Sequence, residues 1–484
     1  MKRKILILLL TIVWLSAICF PCMALREEPV YAYDPNGTSI PAPVSYKVKS
    51  VLYGKDVGVD NLWNPEDLYT DADGFMYIAD TGNDRIVVLN SRFGLHRIID
   101  KVWLDKEQSS LSHPKGVFKA ADGLLYICDT ENRRVIGIDK DQKVVRHMTG
   151  DDLIVVNENI DFRPEKVAVS DDGTVYVVAS DIYQGIIQYG SNNQFNNFFA
   201  PNDVEVTADV LVLNMWKNLF SAEQQDAMEK TLPAPYNNIF MSKDRLLYTT
   251  ASNVKVGDEI KCMNSLGVNI LRTPQYKNGG AAFGDLEVSY ENNEYVKSRF
   301  IDVHADETAM FCALDATRNR LFQYDKECNL ISIFGGIGTQ EGQFSKAVAV
   351  DKLGDCYLVL DGERGSITVF EPTAYTKDVL QALTYYNKGL YVESVEKWQN
   401  ILKQNSNFAI AYRSIGRAYL QEGKSKQAME MLKKGEDKYY YSLALKEYRK
   451  EFTRGNLLWM IGLVIVLVVG IIWTGKYIRK KLIS

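Results

Sequence analysis

A six-bladed all-β propeller, followed by a small all-α domain and one membrane-spanning helix, is the architecture this sequence predicts. Three observations carry that expectation. A strand–turn–strand unit recurs roughly every fifty residues through most of the chain. The hydrophobic period then changes from two to helical, and an uncharged apolar run lies near the C-terminus.

The chain has 484 residues, too many for one ordinary core. With 46% hydrophobic and 24% charged residues it is globular rather than disordered. The net charge of -5 hides an asymmetry. Residues 25–372 carry 34 basic and 52 acidic groups, net -18, whereas residues 373–456 carry 15 and 9, net +6. Nothing in this balance provides a basic footprint for nucleic acid.

The two ends point to a membrane. Lys2-Arg3-Lys4, an apolar run from Ile5 to Phe20, and Pro21-Cys22-Met23-Ala24 read as a secretory signal over 1–24, either cleaved or retained as an anchor. Residues 457–474, LLWMIGLVIVLVVGIIWT, contain no charge and are long enough to span a bilayer, with Trp459 and Trp473 near the interfaces. Lys476, Arg479, Lys480 and Lys481 follow in the tail, 475–484. Together these predict a single-pass protein of a bacterial envelope, with its bulk outside and its C-terminus in the cytoplasm. After the signal, Cys128, Cys262, Cys312, Cys328 and Cys356 remain. None has CxxC spacing, and the strand-like setting of Cys128, Cys312 and Cys356 predicts buried thiols rather than a disulfide framework.

A linker, 25–45, leads into the repeats. Pro65, Pro114 and Pro164 are each followed twelve residues later by Tyr77, Tyr126 and Tyr176, with Asp73-Gly74, Asp122-Gly123 and Asp172-Gly173 between. Asp-Gly suits a hairpin because the turn needs positive φ. Weaker copies begin near Asn238, Phe300 and Gly342, giving six blades over 46–372. Tyr46 to Leu52 alternates and is placed to close the last blade. A Trp-containing insertion at about 207–232 interrupts the ring, and Ser221-Ala-Glu-Gln within it predicts a short helix.

The phrases GFMYIADTGNDRIVVL, GLLYICDTENRRVIGI and GGIGTQEGQFSKAVAVDKLGDCYLVLDGERGSITVF resemble NHL repeats. The resemblance covers 46–372, is strong in copies one, two and six, and weakens at Ser180-Asp181-Ile182 and in copy four. After Pro372, Ala382, Tyr385, Gly389, Ser394 and Trp398 recur 34 residues later as Gly416, Tyr419, Gly423, Ala428 and Leu432. That period resembles the tetratricopeptide repeat. It predicts a helical domain over 373–452, with Tyr439 to Phe452 as its cap. The resemblance implies either a groove for partner proteins or a rigid spacer above the bilayer.

Asp80, Asp129, Asp315 and Asp361 end the second strands, and Arg85, Arg134 and Arg320 follow. Positions repeated in this way predict structural roles. Residues near the start of each innermost strand differ between copies, so Glu66, Lys115, Glu165 and Lys346 are the binding candidates at a channel mouth. The function these features predict is a membrane-anchored, extracytoplasmic binding or scaffold protein. Its partners would be other envelope or membrane proteins, or a peptide or carbohydrate ligand, and no cofactor is expected. Six-bladed relatives also include calcium-dependent lactonases. That resemblance implies an alternative, a divalent-metal-dependent hydrolase with Glu66, Asn238 and Asp302 around a cation such as calcium. His96, His113, His147 and His304 have no ligand spacing, which argues against a zinc lyase.

Overall fold

The computed structural model describes residues 30–155, 161–203, 233–277, 280–286, 289–291, 294–306 and 310–483. The signal segment 1–24 and the insertion at 207–232 lie outside the described residues. Six antiparallel blades form a ring, each beginning with its innermost strand. These inner strands are Asp67–Thr70, Pro114–Lys119, Pro164–Val169, Tyr236–Met241, Phe300–Ala305 and Ala347–Leu353. Each contacts its two neighbours, so the ring is closed. Among the described residues five blades have four strands, and the fourth has three.

Alternation explains how the blades bury both faces. In Met76–Asp80, Leu125–Asp129 and Phe311–Asp315 every residue is buried, because the second strand lies between flanking strands and between neighbouring blades. The turns between first and second strands end on Gly74, Gly123 and Gly173, with φ of 82°, 84° and 81°. In the first blade Asp71, rather than Asp73, holds the turn, accepting from the Asp73 and Phe75 amides and from the Tyr77 hydroxyl at 2.9–3.0 Å.

The ring closes through the N-terminal side of the chain. Tyr46–Tyr53 pairs antiparallel with Ser366–Pro372, supplying the outer strand of the last blade. Residues expected to be a linker instead form a hairpin, Tyr31–Tyr33 with Ser39–Pro41. It docks on the fifth blade, where Arg320 bridges the Tyr31 hydroxyl at 2.9 Å and the Asp285 carboxylate at 3.0 Å.

Five helices follow: α1 (Ala374–Asn387), α2 (Tyr391–Gln404), α3 (Ala409–Gln421), α4 (Ser425–Lys434) and α5 (Lys438–Ile483). Thr373 caps α1, and its hydroxyl also donates to Val44 O at 2.8 Å, tying the helices to the closing strand. Of the residues repeating at 34, Ala382, Ser394, Trp398, Ala428 and Leu432 are fully buried, whereas Gly389 and Gly423 are exposed turn residues with φ of 77° and 74°. Gly416 sits where a Cβ would meet Leu432 Cγ at 2.5 Å, so only glycine permits this crossing. The cap helix expected over Tyr439 to Phe452 and the span expected over 457–474 are not separate elements. In the structure they are one continuous α5, long and apolar enough to cross a membrane.

Candidate functional site: the two mouths of the propeller channel

All six inner strands run the same way along the channel, so their first residues share one mouth and their last residues the other. Pairing with the second strands places Glu66, Lys115, Glu165, Asn237, Ile301 and Val348 at equivalent positions near the first mouth. Three of the four predicted binding residues converge there. The Lys115 ammonium lies 2.9 Å from Glu165 and 3.5 Å from Glu66. Glu165 also accepts from Ser180 Oγ at 2.7 Å. Burial would raise the Glu165 carboxyl, but the hydrogen bond and charge of Lys115 outweigh it and hold it below the ordinary carboxylate range. Lys346 does not join them. It precedes its strand, and its backbone carbonyl accepts the Gly362 amide at 2.9 Å, while Val348 takes the equivalent place.

One layer deeper stand Asp67, Gly116, Lys166, Asn238, Asp302 and Ala349. Lys166 reaches across the channel to Asp67 at 2.5 Å. The other Asp67 oxygen accepts the Val117 amide at 2.9 Å, joining the first two blades. Asp302 accepts from the Val303 and Val350 amides at 2.8 and 2.6 Å, and from the Asn238 side chain. Burial pushes the Asp302 carboxyl up to about 7, with Lys166 opposing the rise and Asp67 adding to it. Burial would lower the Lys166 ammonium, but Asp67 and Asp302 reverse the sign and hold it above the ordinary range.

This layer bears on the predicted cation site. Asn238 and Asp302 come together, but Glu66 turns to Lys115 instead of joining them. The positive charge among these carboxylates is the Lys166 ammonium itself. Among the described residues no group of three or more His, Cys, Asp or Glu side chains is arranged to hold a metal ion.

The third layer, Tyr69, Phe118, Ala168, Phe240, His304 and Asp351, opens into a hollow of about 780 Å³ at the opposite mouth. Its walls are aromatic: Tyr69 packs on Phe118 at 4.8 Å and Phe240 on His304 at 4.8 Å between ring centroids. The His304 Nδ1 lies 2.5 Å from Asp351, whose carboxylate is fixed by the Thr70 amide at 2.5 Å and the Lys352 amide at 2.7 Å. The rim carries both signs of charge. Lys352 pairs with Asp306 at 3.2 Å, Arg245 pairs with Asp171 at 2.8 Å, and Lys119 donates to Gly123 O. Burial lowers the Lys119 ammonium. This hollow was missed from sequence, although a signal was present: aromatic rings or histidine recur at the third channel layer in four of the six copies.

The repeated acids are structural. Asp80, Asp129 and Asp315 each accept a backbone amide from the loop entering their own blade, from Trp63, Ser112 and Arg299 at 2.7 Å, and Asp361 does so from Ser345 at 2.8 Å. Arg85 and Arg134 pair with Asp80 and Asp129 at 2.7 Å. Arg320 departs from this pattern and serves Asp285 instead.

The groove between α1 and α3 is filled from within. The turn 325–329 of the fifth blade lies against Leu383, Tyr386, Ile410, Arg413 and Arg417 with about 20 Å³ between them, and a hollow of about 240 Å³ lies on the other side of the turn, toward Tyr276 and Phe408. Arg417 donates to both Glu327 oxygens, at 3.1 and 2.8 Å, and to Asp437 at 2.8 Å, and lies 4.3 Å over the Tyr440 ring. Met310 and Ile331 of the same blade share one apolar cluster with Tyr375, Val379 and Phe408. The helices are therefore packed onto the propeller rather than hung from it.

No protein-family model matches the sequence, and neither does any curated protein. Among solved structures, the chain is similar to virginiamycin B lyase from Staphylococcus aureus, with a TM-score of 0.41 and 10% identity over 67% of this chain and 99% of that one. A second is the extracellular domain of a protein assigned to a hybrid two-component system from Bacteroides thetaiotaomicron, with a TM-score of 0.37 and 11% identity over 71% and 38%. A third is a protein assigned as a gluconolactonase, with a TM-score of 0.37 and 10% identity over 71% and 98%. At these scores the likenesses say nothing about chemistry. The propeller stands on its own strand order.

Proposed function

We propose that this chain is a membrane-anchored binding protein of a bacterial envelope, with its bulk outside the cytoplasm. In this reading an NHL-like propeller receives its ligand in the hollow at the ends of the inner strands. The observation that carries the reading is the contrast between the two mouths. At the first, Lys115 is shared between Glu66 and Glu165, whereas the second opens into about 780 Å³. Aromatic walls under a rim of mixed charge suit a peptide segment of another envelope protein, which offers apolar side chains beside amide and charged groups. The tetratricopeptide-like helices then act as a rigid spacer, since Glu327 and its turn already occupy their groove.

The competing reading is a metal-dependent lactonase, with Asn238 and Asp302 as partial ligands. Sugar lactones offered to the purified exterior portion, residues 30–455, are expected to remain unhydrolysed with calcium present. Hydrolysis abolished both by chelation and by Asp302→Ala would replace the binding account with the enzymatic one.

A further inference from the structure

We propose that α5 carries a binding site for the anionic headgroups of phospholipids, formed by Lys446, Arg449, Lys450 and Arg454. The proposal rests on the reading of α5 as a membrane span. Counted from Lys446, these residues fall at intervals of three, four and eight, which places them on one face of a continuous helix. All four are exposed. The acids nearby still leave the face positive: Glu451 accepts from Ser425 Oγ on α4 at 2.9 Å, and Glu447, 2.6 Å from Lys450 and near Lys446 and Arg454 as well, offsets only one of the four charges.

Position supplies the second argument. The uncharged run begins at Leu457, so at about 1.5 Å per residue the four side chains leave the helix roughly 5–17 Å before the hydrocarbon. Long basic side chains at that depth reach phosphate groups at the bilayer surface, within or near the screening length at physiological salt. The charge distribution acts in the same direction. A ring of net -18 is repelled by an anionic surface, while the segment 373–456, net +6, is drawn to it. The stripe would thus set which end of the molecule faces the lipid.

The test uses the full chain purified in a neutral detergent, titrated with phosphatidylglycerol or phosphatidylcholine and read by native mass spectrometry. The background carries K476Q/R479Q/K480Q/K481Q, so that tail charges contribute nothing. In that background, phosphatidylglycerol is expected to be retained over phosphatidylcholine by about tenfold or more. Adding K446Q/R449Q/K450Q/R454Q is expected to remove the preference. Equal retention of the two lipids in the background, or a preference that survives the second set of substitutions, would overturn the proposal. Alkaline carbonate extraction of membranes from cells producing the full chain tests the span separately: release of the chain would defeat that reading and the lipid site with it.

Discussion

Lys166→Met is expected to destabilise the propeller by about 3–5 kcal/mol, because it leaves buried carboxylates without their counter-charge. Lys166 Nζ lies 2.5 Å from Asp67, and its charge is what opposes the rise of the Asp302 carboxyl. Methionine fills a similar volume, so the loss is electrostatic rather than a packing void. The deficit should depend on pH. Asp302 is pushed up to about 7, above its unfolded value, so its contribution to stability is complete below the ordinary carboxylate range and is lost as pH rises through about 7. The wild type should therefore unfold at lower denaturant at pH 8 than at pH 5. Asp325, pushed up to about 6 by burial, contributes to the same slope, and comparison with Asp302→Asn isolates the Asp302 part. The Lys166→Met deficit should be largest at pH 8 and shrink at pH 5, where Asp302 is protonated. A loss below about 1 kcal/mol at pH 8 would mean that the channel carboxylates do not need this lysine.

Beginning the chain after the closing strand is expected to abolish cooperative folding. Tyr46–Tyr53 is the outer strand of the last blade, paired from Tyr46↔Pro372 to Tyr53↔Ser366. Its removal leaves Ser366–Pro372 as an open edge and strips Tyr46 from Phe334, 4.3 Å away between ring centroids. A ring of blades that bury their faces against one another loses that mutual support when one fails to close. The expected cost is on the order of the whole stability of an ordinary domain, about 5–15 kcal/mol. Denaturant unfolding of residues 45–455 should give one sharp transition, and residues 55–455 should give none. A sharp transition in the shorter chain would show that closure is dispensable.

The repeat was legible because Asp-Gly turns, Tyr-containing second strands and their spacing are local signals. The channel was not, for a local reason too. In five inner strands the pairing shifts near the first residues, as at Pro114/Gly116, Pro164/Lys166 and Phe300/Asp302. Such an irregularity breaks the period of two, so alternation read from the sequence does not say which residues face the axis. It is also why Lys346, in a copy with no leading proline, was placed in the wrong register. The separation of cap helix and span failed differently. Thr453-Arg454-Gly455-Asn456 holds no proline, and one glycine costs a helix only about 1 kcal/mol, so α5 runs through. Contacts such as Arg417 with Glu327, ninety residues apart, leave no local trace in the sequence.

Photo-crosslinking in intact membranes tests the central claim most directly. A photoreactive amino acid placed at Met241, in the wall of the open hollow, is compared with one at Val348, beside the ion-paired mouth. The account predicts a discrete adduct with another envelope protein from position 241 that is lost when Tyr69→Ala is added, and none from position 348. Adducts from position 348 alone, or from neither position, would contradict it.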